Sequence, residues 1–177
     1  MNQNVRDKMA REIMVVKNDY LFAEYEKETR FYPATTFNFE EIILDKYEYM
    51  VRWVAEENFD YKQPITYAFV IDPENKVFIY TRGWAWSNAW DARLHSKIAM
   101  WVWGHLERED EYLQNPIRES LVREIEEELN LTHEDILEIE QIGYINNEMD
   151  VVSQVHIWFC YVVKVKHTDI QLLDLAI

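Results

Sequence analysis

The chain has 177 residues, with 33 acidic against 18 basic side chains and a formal net charge of −15. So acidic a surface repels duplex nucleic acid and anionic membranes, although not a nucleotide whose phosphates arrive with divalent cations. The three glycines, Gly83, Gly104 and Gly143, are too far apart for a GxGxxG or GxxxxGK[ST] loop, which excludes the glycine-rich phosphate cradles and leaves metal ions as the obvious alternative.

The hydrophobic fraction of 49% and aromatic fraction of 15% supply a packed core rather than a disordered chain. The single Cys160 lies in the apolar run 155–163, where a buried, idle thiol is expected and no intrachain disulfide can form. Residues 1–9 contain no apolar signal core, and no run approaches the ~18 apolar residues of a membrane span. These features together predict a cytoplasmic protein.

In chain order, residues 12–17 read as a short strand, followed by a polar and aromatic stretch to about Thr36. A helix is then predicted over about 39–57. Asn38 is placed to cap it, Glu41 to complete a capping box, and Phe37 with Ile42 to form a staple. Phe39, Ile42, Ile43, Tyr47, Met50 and Val54 keep helical spacing. This helix and the first strand make an N-terminal arm, residues 1–60, ahead of a domain over 61–177. Strands are predicted at 65–71 and 77–81 around the turn Asp72-Pro73-Glu74-Asn75, and again at 98–103. Residues 83–97 form a loop rich in tryptophan. Asn115 and Pro116 mark the start of a helix running to Leu129, and Thr132 with Asp135 can cap a further short turn. Strands at 136–145 and 151–165 follow. This order indicates a mixed α/β (α+β) domain.

The segment that carries chemistry is Arg123-Glu-Ile-Glu-Glu-Glu-Leu-Asn-Leu131. At roughly 100° per residue, Glu124, Glu127 and Glu128 share an arc of about 100°, while Val122, Ile125 and Leu129 form the adjoining apolar face. Oxygen clusters of this kind bind hard divalent cations. A solvated helix face in an acidic protein has the same spacing.

The surrounding residues add context. Trp103-Gly104-His105-Leu106-Glu107 stands ahead of the helix, and Gly104 through Leu131 resembles the Nudix box of the Nudix hydrolases: a Gly, a Glu, then Arg-Glu-apolar-x-Glu-Glu-x-Gly-apolar. The core at 123–128 matches at every fixed position. The resemblance implies an α/β/α sandwich with a mixed sheet. It implies Mg²⁺ or Mn²⁺ held by Glu124, Glu127, Glu128 and the carbonyl of Gly104, with Arg123 orienting the carboxylates. The implied activity is cleavage of a diphosphate joined to another moiety, typically a nucleoside diphosphate derivative, by water attacking phosphorus. A Nudix-like domain that binds or senses a nucleotide without cleaving it is the alternative. The resemblance further implies a closing element after the last strand, which a longer chain, residues 10–60 or a partner chain would supply.

Three departures are visible. Eighteen residues separate Gly104 from Arg123, against about 13 in the common box, so an insertion is predicted within 108–114. Counting back from Arg123, the upstream Glu position holds Asn115, so orienting the Arg would fall to Glu119 or to nothing. Asn130 stands where the family has Gly. If that position requires φ > 0, Asn is the next best residue, and Asn130→Gly is expected to be neutral or mildly stabilising.

Other candidates lie outside the box. The resemblance implies an additional carboxylate from a loop beyond the box; Glu148 and Asp150 lie in such a loop and equally suit plain turn positions. Arg82, Arg93 and Lys97 flank the tryptophan loop and are placed to hold phosphate. Trp103, with Trp84, Trp86, Trp90 and Trp101, could stack a base or equally serve core packing or a homodimer interface. The five histidines, His95, His105, His133, His156 and His167, show no zinc spacing.

Overall fold

The computed structural model describes residues 3–81 and 98–173. Its elements in order are α1 (Gln3–Ala10), β1 (Glu12–Lys17), α2 (Asn18–Leu21), β2 (Arg30–Pro33), α3 (Phe39–Lys46), β3 (Glu48–Val51), α4 (Arg52–Ala55) and β4 (Tyr61–Ile71). After these come β5 (Tyr80–Thr81), β6 (Ile98–Ala99), β7 (Val102–His105), α5 (Pro116–Glu128), β8 (Ile136–Asn146) and β9 (His156–Val165). Short 3₁₀ turns occupy Arg108–Tyr112, His133–Asp135 and Ser153–Val155.

Among the described residues, seven strands form one mixed sheet in the order β2-β8-β9-β4-β1-β3, with β7 also pairing β4. The β4–β9 pair is parallel and runs from Gln63↔His156 to Ile71↔Lys164. β1 and β7 both lie antiparallel along β4, β1 at its start and β7 at Ile65–Ala68. The β1, β2 and β3 strands of residues 12–51 thus belong to the same sheet as the later strands.

Alternation along these strands separates two faces. Met14 and Val16 of β1, Ala68 and Val70 of β4, Val102 of β7 and Ile157, Phe159, Tyr161 and Val163 of β9 turn to one side. There they pack with Ile117, Leu121 and Ile125 of α5 and Phe39 and Ile43 of α3 as the main core. The other side carries Gln63, His105, His156 and Trp158, and next to it a small cluster of Ile13, Val15 and Ala55 with Met50 and Tyr61. Helices on one face and α4 on the other give the layered, mixed α+β architecture that the resemblance implied.

The predicted start of α3 holds. Asn38 accepts the Glu41 backbone N–H at 3.2 Å, and its amide reaches the Glu41 carboxylate at 2.8 Å. The predicted length does not hold. The helix stops at Lys46, Tyr47 is extended, and residues 48–51 pair with β1 from Glu12↔Val51 to Val15↔Glu48. Tyr47, Met50 and Val54 keep helical spacing, but β1 is an available partner, and pairing with it places Met50 on Ile13 and Val15. Tertiary pairing overrides local propensity here. The strand predicted at 77–81 is likewise reduced to Tyr80–Thr81, with Val77 bridging Ile71. The predicted strand at 98–103 divides into β6 and β7, and the last strand starts at His156 rather than 151.

Asn115 and Pro116 do start α5: the Asn115 side chain accepts from Arg118 N at 3.0 Å. Asn115 also donates to Glu40 at 2.9 Å, tying the starts of α3 and α5 together. The expectation for Asn130 is corrected. The non-glycine residue with positive φ among the described residues is Asn75, not Asn130. Asn130 instead accepts Gln171 N at 2.7 Å and donates to the Asp169 carbonyl at 3.1 Å, holding the C-terminal segment against the end of α5. Asn130→Gly removes both bonds, so it should lower unfolding free energy by about 1–2 kcal/mol in urea denaturation rather than leave it unchanged.

Candidate metal centre

The centre of the candidate site is Arg123, which projects from α5 into an acidic surround. Its Nε and Nη2 donate to the two oxygens of Asp110 at 3.3 and 3.2 Å, a bidentate geometry. Nη2 also reaches the His105 carbonyl at 3.1 Å, and Nη1 donates to Glu124 at 2.7 Å and Glu127 at 3.4 Å. Burial works against the guanidinium charge, but hydrogen bonding to Asp110 and the charges of Glu124 and Asp110 more than offset it, so its pKa is raised.

The anchor is therefore Asp110, not Glu119, which is exposed and not among the partners of Arg123. Asp110 is 2% exposed and sits in the 3₁₀ turn Arg108–Tyr112, inside the predicted insertion. Its carboxylate also caps that turn by accepting Glu107 N at 2.9 Å. A signal for it existed in the sequence. Six residues forward from Gly104 fall on Asp110, the box's upstream acidic position when counted from the Gly. Counting back from Arg123 crosses the inserted residues and lands on Asn115.

Gly104 and Glu124 interlock. A Cβ built on Gly104 would lie 1.9 Å from Glu124 Cδ, so the carboxyl rests where any side chain at 104 would be. Burial pushes the Glu124 pKa up, Arg123 opposes the rise and Glu127 adds to it, for a value of about 7. Glu127 is exposed and Glu128 half-buried on the same helix. The Gly104 carbonyl receives Thr66 Oγ1 at 3.4 Å, and a carbonyl has a second lone pair for an ion. These hard oxygen donors suit Mg²⁺ or Mn²⁺, and a cation beside Glu124 would favour its ionised form.

Trp103 alternates with Gly104 on β7 and so lies on the opposite sheet face, beside His105 with ring centroids 6.0 Å apart. Arg82, Arg93, Lys97, Trp84, Trp86, Trp90 and His95 lie outside the described residues. Asp150 caps the turn Ser153–Val155 by accepting Ser153 N and Oγ at 2.9 and 2.6 Å. Cys160 is buried, and burial raises its thiol to about 12, as expected for an idle thiol.

Glu148 is held by Lys62 at 2.6 Å and by Lys27 at 3.3 Å. Lys62 is fully buried. Desolvation lowers its pKa to about 8 against the opposing pull of Glu148. Between about pH 8 and the unfolded value near 10.4 the unfolded chain binds the extra proton, so this group makes stability rise with pH across that window. Wild type should gain about 2.5 kcal/mol over Lys62→Met between pH 8 and 10.5 in urea titrations, and a flat difference would contradict it.

Among the comparisons with known proteins, the one with solved structures identifies the fold. The chain matches no established family profile. It is similar to the crystal structure of Tm1382, a protein proposed to be a Nudix hydrolase, with a TM-score of 0.71 and 23% identity over 93% of this chain and 81% of that one. The chain thus has the Nudix fold. In sequence it is similar to protein YmaB of Bacillus subtilis (strain 168), 34% identical over 122 residues, or 68% of this chain. It spans 57% of that relative's length. No helix among the described residues is long and apolar enough to cross a membrane.

Proposed function

We propose that this protein is a metal-dependent hydrolase of the Nudix type, cleaving the diphosphate bond of a nucleoside diphosphate linked to another moiety. The observation that carries the reading is the Asp110–Arg123–Glu124 arrangement closed over Gly104. It holds together carboxylates that would otherwise repel. Glu124, Glu127, Glu128 and the Gly104 carbonyl would hold Mg²⁺ or Mn²⁺, which neutralises phosphate oxygens and activates water when bound. Arg123 keeps the Glu124 and Glu127 carboxylates in place, and Asp110 and the His105 carbonyl keep Arg123 in place. Positioning of this kind supplies much of the rate in phosphoryl transfer. Glu127→Gln should lower kcat/KM on a panel of nucleoside diphosphate derivatives with Mg²⁺ or Mn²⁺ by about a hundredfold or more, equivalent to about 2.7 kcal/mol. Unchanged turnover would overturn the assignment.

A nucleotide-binding domain without hydrolysis is the second reading. It is favoured by Glu148, the loop carboxylate, being occupied by Lys62 and Lys27. Calorimetric binding of the same nucleotides with no phosphorylated product would establish it.

A further inference from the structure

The face of the sheet turned away from α5 carries a cluster that the box does not use. Glu56 follows α4, His105 ends β7 and His156 begins β9. One ligand atom from each lies within 4.8 Å of the others. His105 and His156 are 6% and 5% exposed, with ring centroids 5.5 Å apart. Such proximity alone would suit an ordinary buried aromatic contact.

The hydrogen bonds argue for more. His156 Nδ1 lies 2.7 Å from the Val152 carbonyl, which can only accept, so Nδ1 carries the proton and Nε2 the lone pair. That Nε2 is buried and has no hydrogen-bond partner. His105 Nε2 lies 3.0 Å from Gln63 Oε1, also an acceptor, which leaves its lone pair on Nδ1. Each imidazole therefore has one nitrogen fixed by a carbonyl oxygen, and His156 Nε2 is left without a partner, the arrangement by which second partners orient metal-binding histidines. A buried acceptor nitrogen with nothing to accept is otherwise costly. Glu56 contributes the carboxylate and is itself steadied by Arg52 Nε at 3.2 Å.

We propose that Glu56, His105 and His156 form a second metal site that takes a divalent ion of the zinc class. Two imidazole nitrogens and one carboxylate suit Zn²⁺ better than Mg²⁺, which prefers all-oxygen, water-rich surroundings. Zinc ligands at about 2.0–2.1 Å stand roughly 3.3 Å apart in a tetrahedron, so the three groups close inward on binding, by up to about 1.5 Å. The ion joins α4 to β7 and β9 and clamps residues 52–56 onto the sheet. His105 also connects the two sites, because its side chain faces the cluster while its backbone carbonyl receives Arg123.

The test uses Zn²⁺ and Co²⁺ added to the metal-free 177-residue chain. Wild type should take up one equivalent of Zn²⁺ that survives in a Glu124→Gln/Glu127→Gln variant, and Co²⁺ should give the visible absorption of a four- or five-coordinate nitrogen–oxygen site. His156→Gln and Glu56→Gln should each weaken Zn²⁺ binding at least tenfold. Circular dichroism of each variant checks that it is folded. Glu56 is half-buried at the end of a short helix, so its variant keeps the test informative if His156→Gln does not fold. Absence of zinc uptake by wild type overturns the proposal. So does zinc binding that is lost in the box variant but retained in Glu56→Gln. Because the box variant separates the two sites, failure here leaves the proposed hydrolase function standing.

Discussion

Asp110→Asn should lower the unfolding free energy by about 3 kcal/mol, the low end for breaking a buried ion pair. For a chain of this size that is a fall of roughly 6–12 °C in Tm. The substitution is nearly isosteric, so the loss reports charge and hydrogen bonding rather than volume. It leaves the Arg123 guanidinium partly buried with its bidentate partner gone, and it weakens the cap of the 3₁₀ turn Arg108–Tyr112. Activity should fall with it, because a loosened Arg123 no longer fixes Glu124 and Glu127. Glu119→Gln is the matched control and should stay within about 0.5 kcal/mol of wild type, as an exposed substitution does. Equal losses in the two variants, or none in either, would remove Asp110 from its anchoring role. Urea unfolding at neutral pH and steady-state kinetics read both effects.

Gly104→Ala should weaken Mn²⁺ binding at the box at least tenfold, measured by calorimetry. The glycine is needed for space, not for an unusual backbone, since it continues the β7 strand opposite Thr66. A methyl group there would overlap Glu124 Cδ, at 1.9 Å, and Oε1, at 2.1 Å. Glu124 must therefore swing away, giving up its position beside Arg123 Nη1. Overpacking of this sort costs about 1–3 kcal/mol of stability as well. Gly143→Ala separates the two consequences. A Cβ there meets Phe31 Cζ and the Tyr32 carbonyl at 2.4 Å, within the β2–β8 pair and away from the carboxylates. It should destabilise at least as much, since Gly143 also has φ of +158°, while leaving Mn²⁺ affinity intact. If Gly104→Ala binds Mn²⁺ as wild type does, the Glu124 carboxyl is not a ligand.

Local signals read correctly wherever the deciding interaction was itself local. Asn38 with Glu41, Asn115 with Pro116, and Thr132 with Asp135 all mark real starts, because each capping bond closes over three residues. The carboxylate arc of α5 follows from helical periodicity in the same way. The end of α3 was not legible, because the competing partner of residues 48–51 is β1, more than thirty residues earlier. Asn130 was misread for a related reason: its side chain answers to Asp169 and Gln171, forty residues on.

By itself, then, the amino-acid sequence determined the mixed fold class, the capped helix and the Arg-Glu-Ile-Glu-Glu-Glu segment that it carries. Those features depend on patterning and on groups within one or two helical turns of each other. Only the tertiary structure decided that Asp110 anchors Arg123, that Glu124 fills the space over Gly104, and that Glu56, His105 and His156 converge on the far face of the sheet. These depend on which strands become neighbours. Parallel pairing of β4 with β9 and antiparallel pairing with β7 place His156 near His105 across fifty residues of chain. No spacing rule reaches that far, which is why the histidines look unrelated in the sequence.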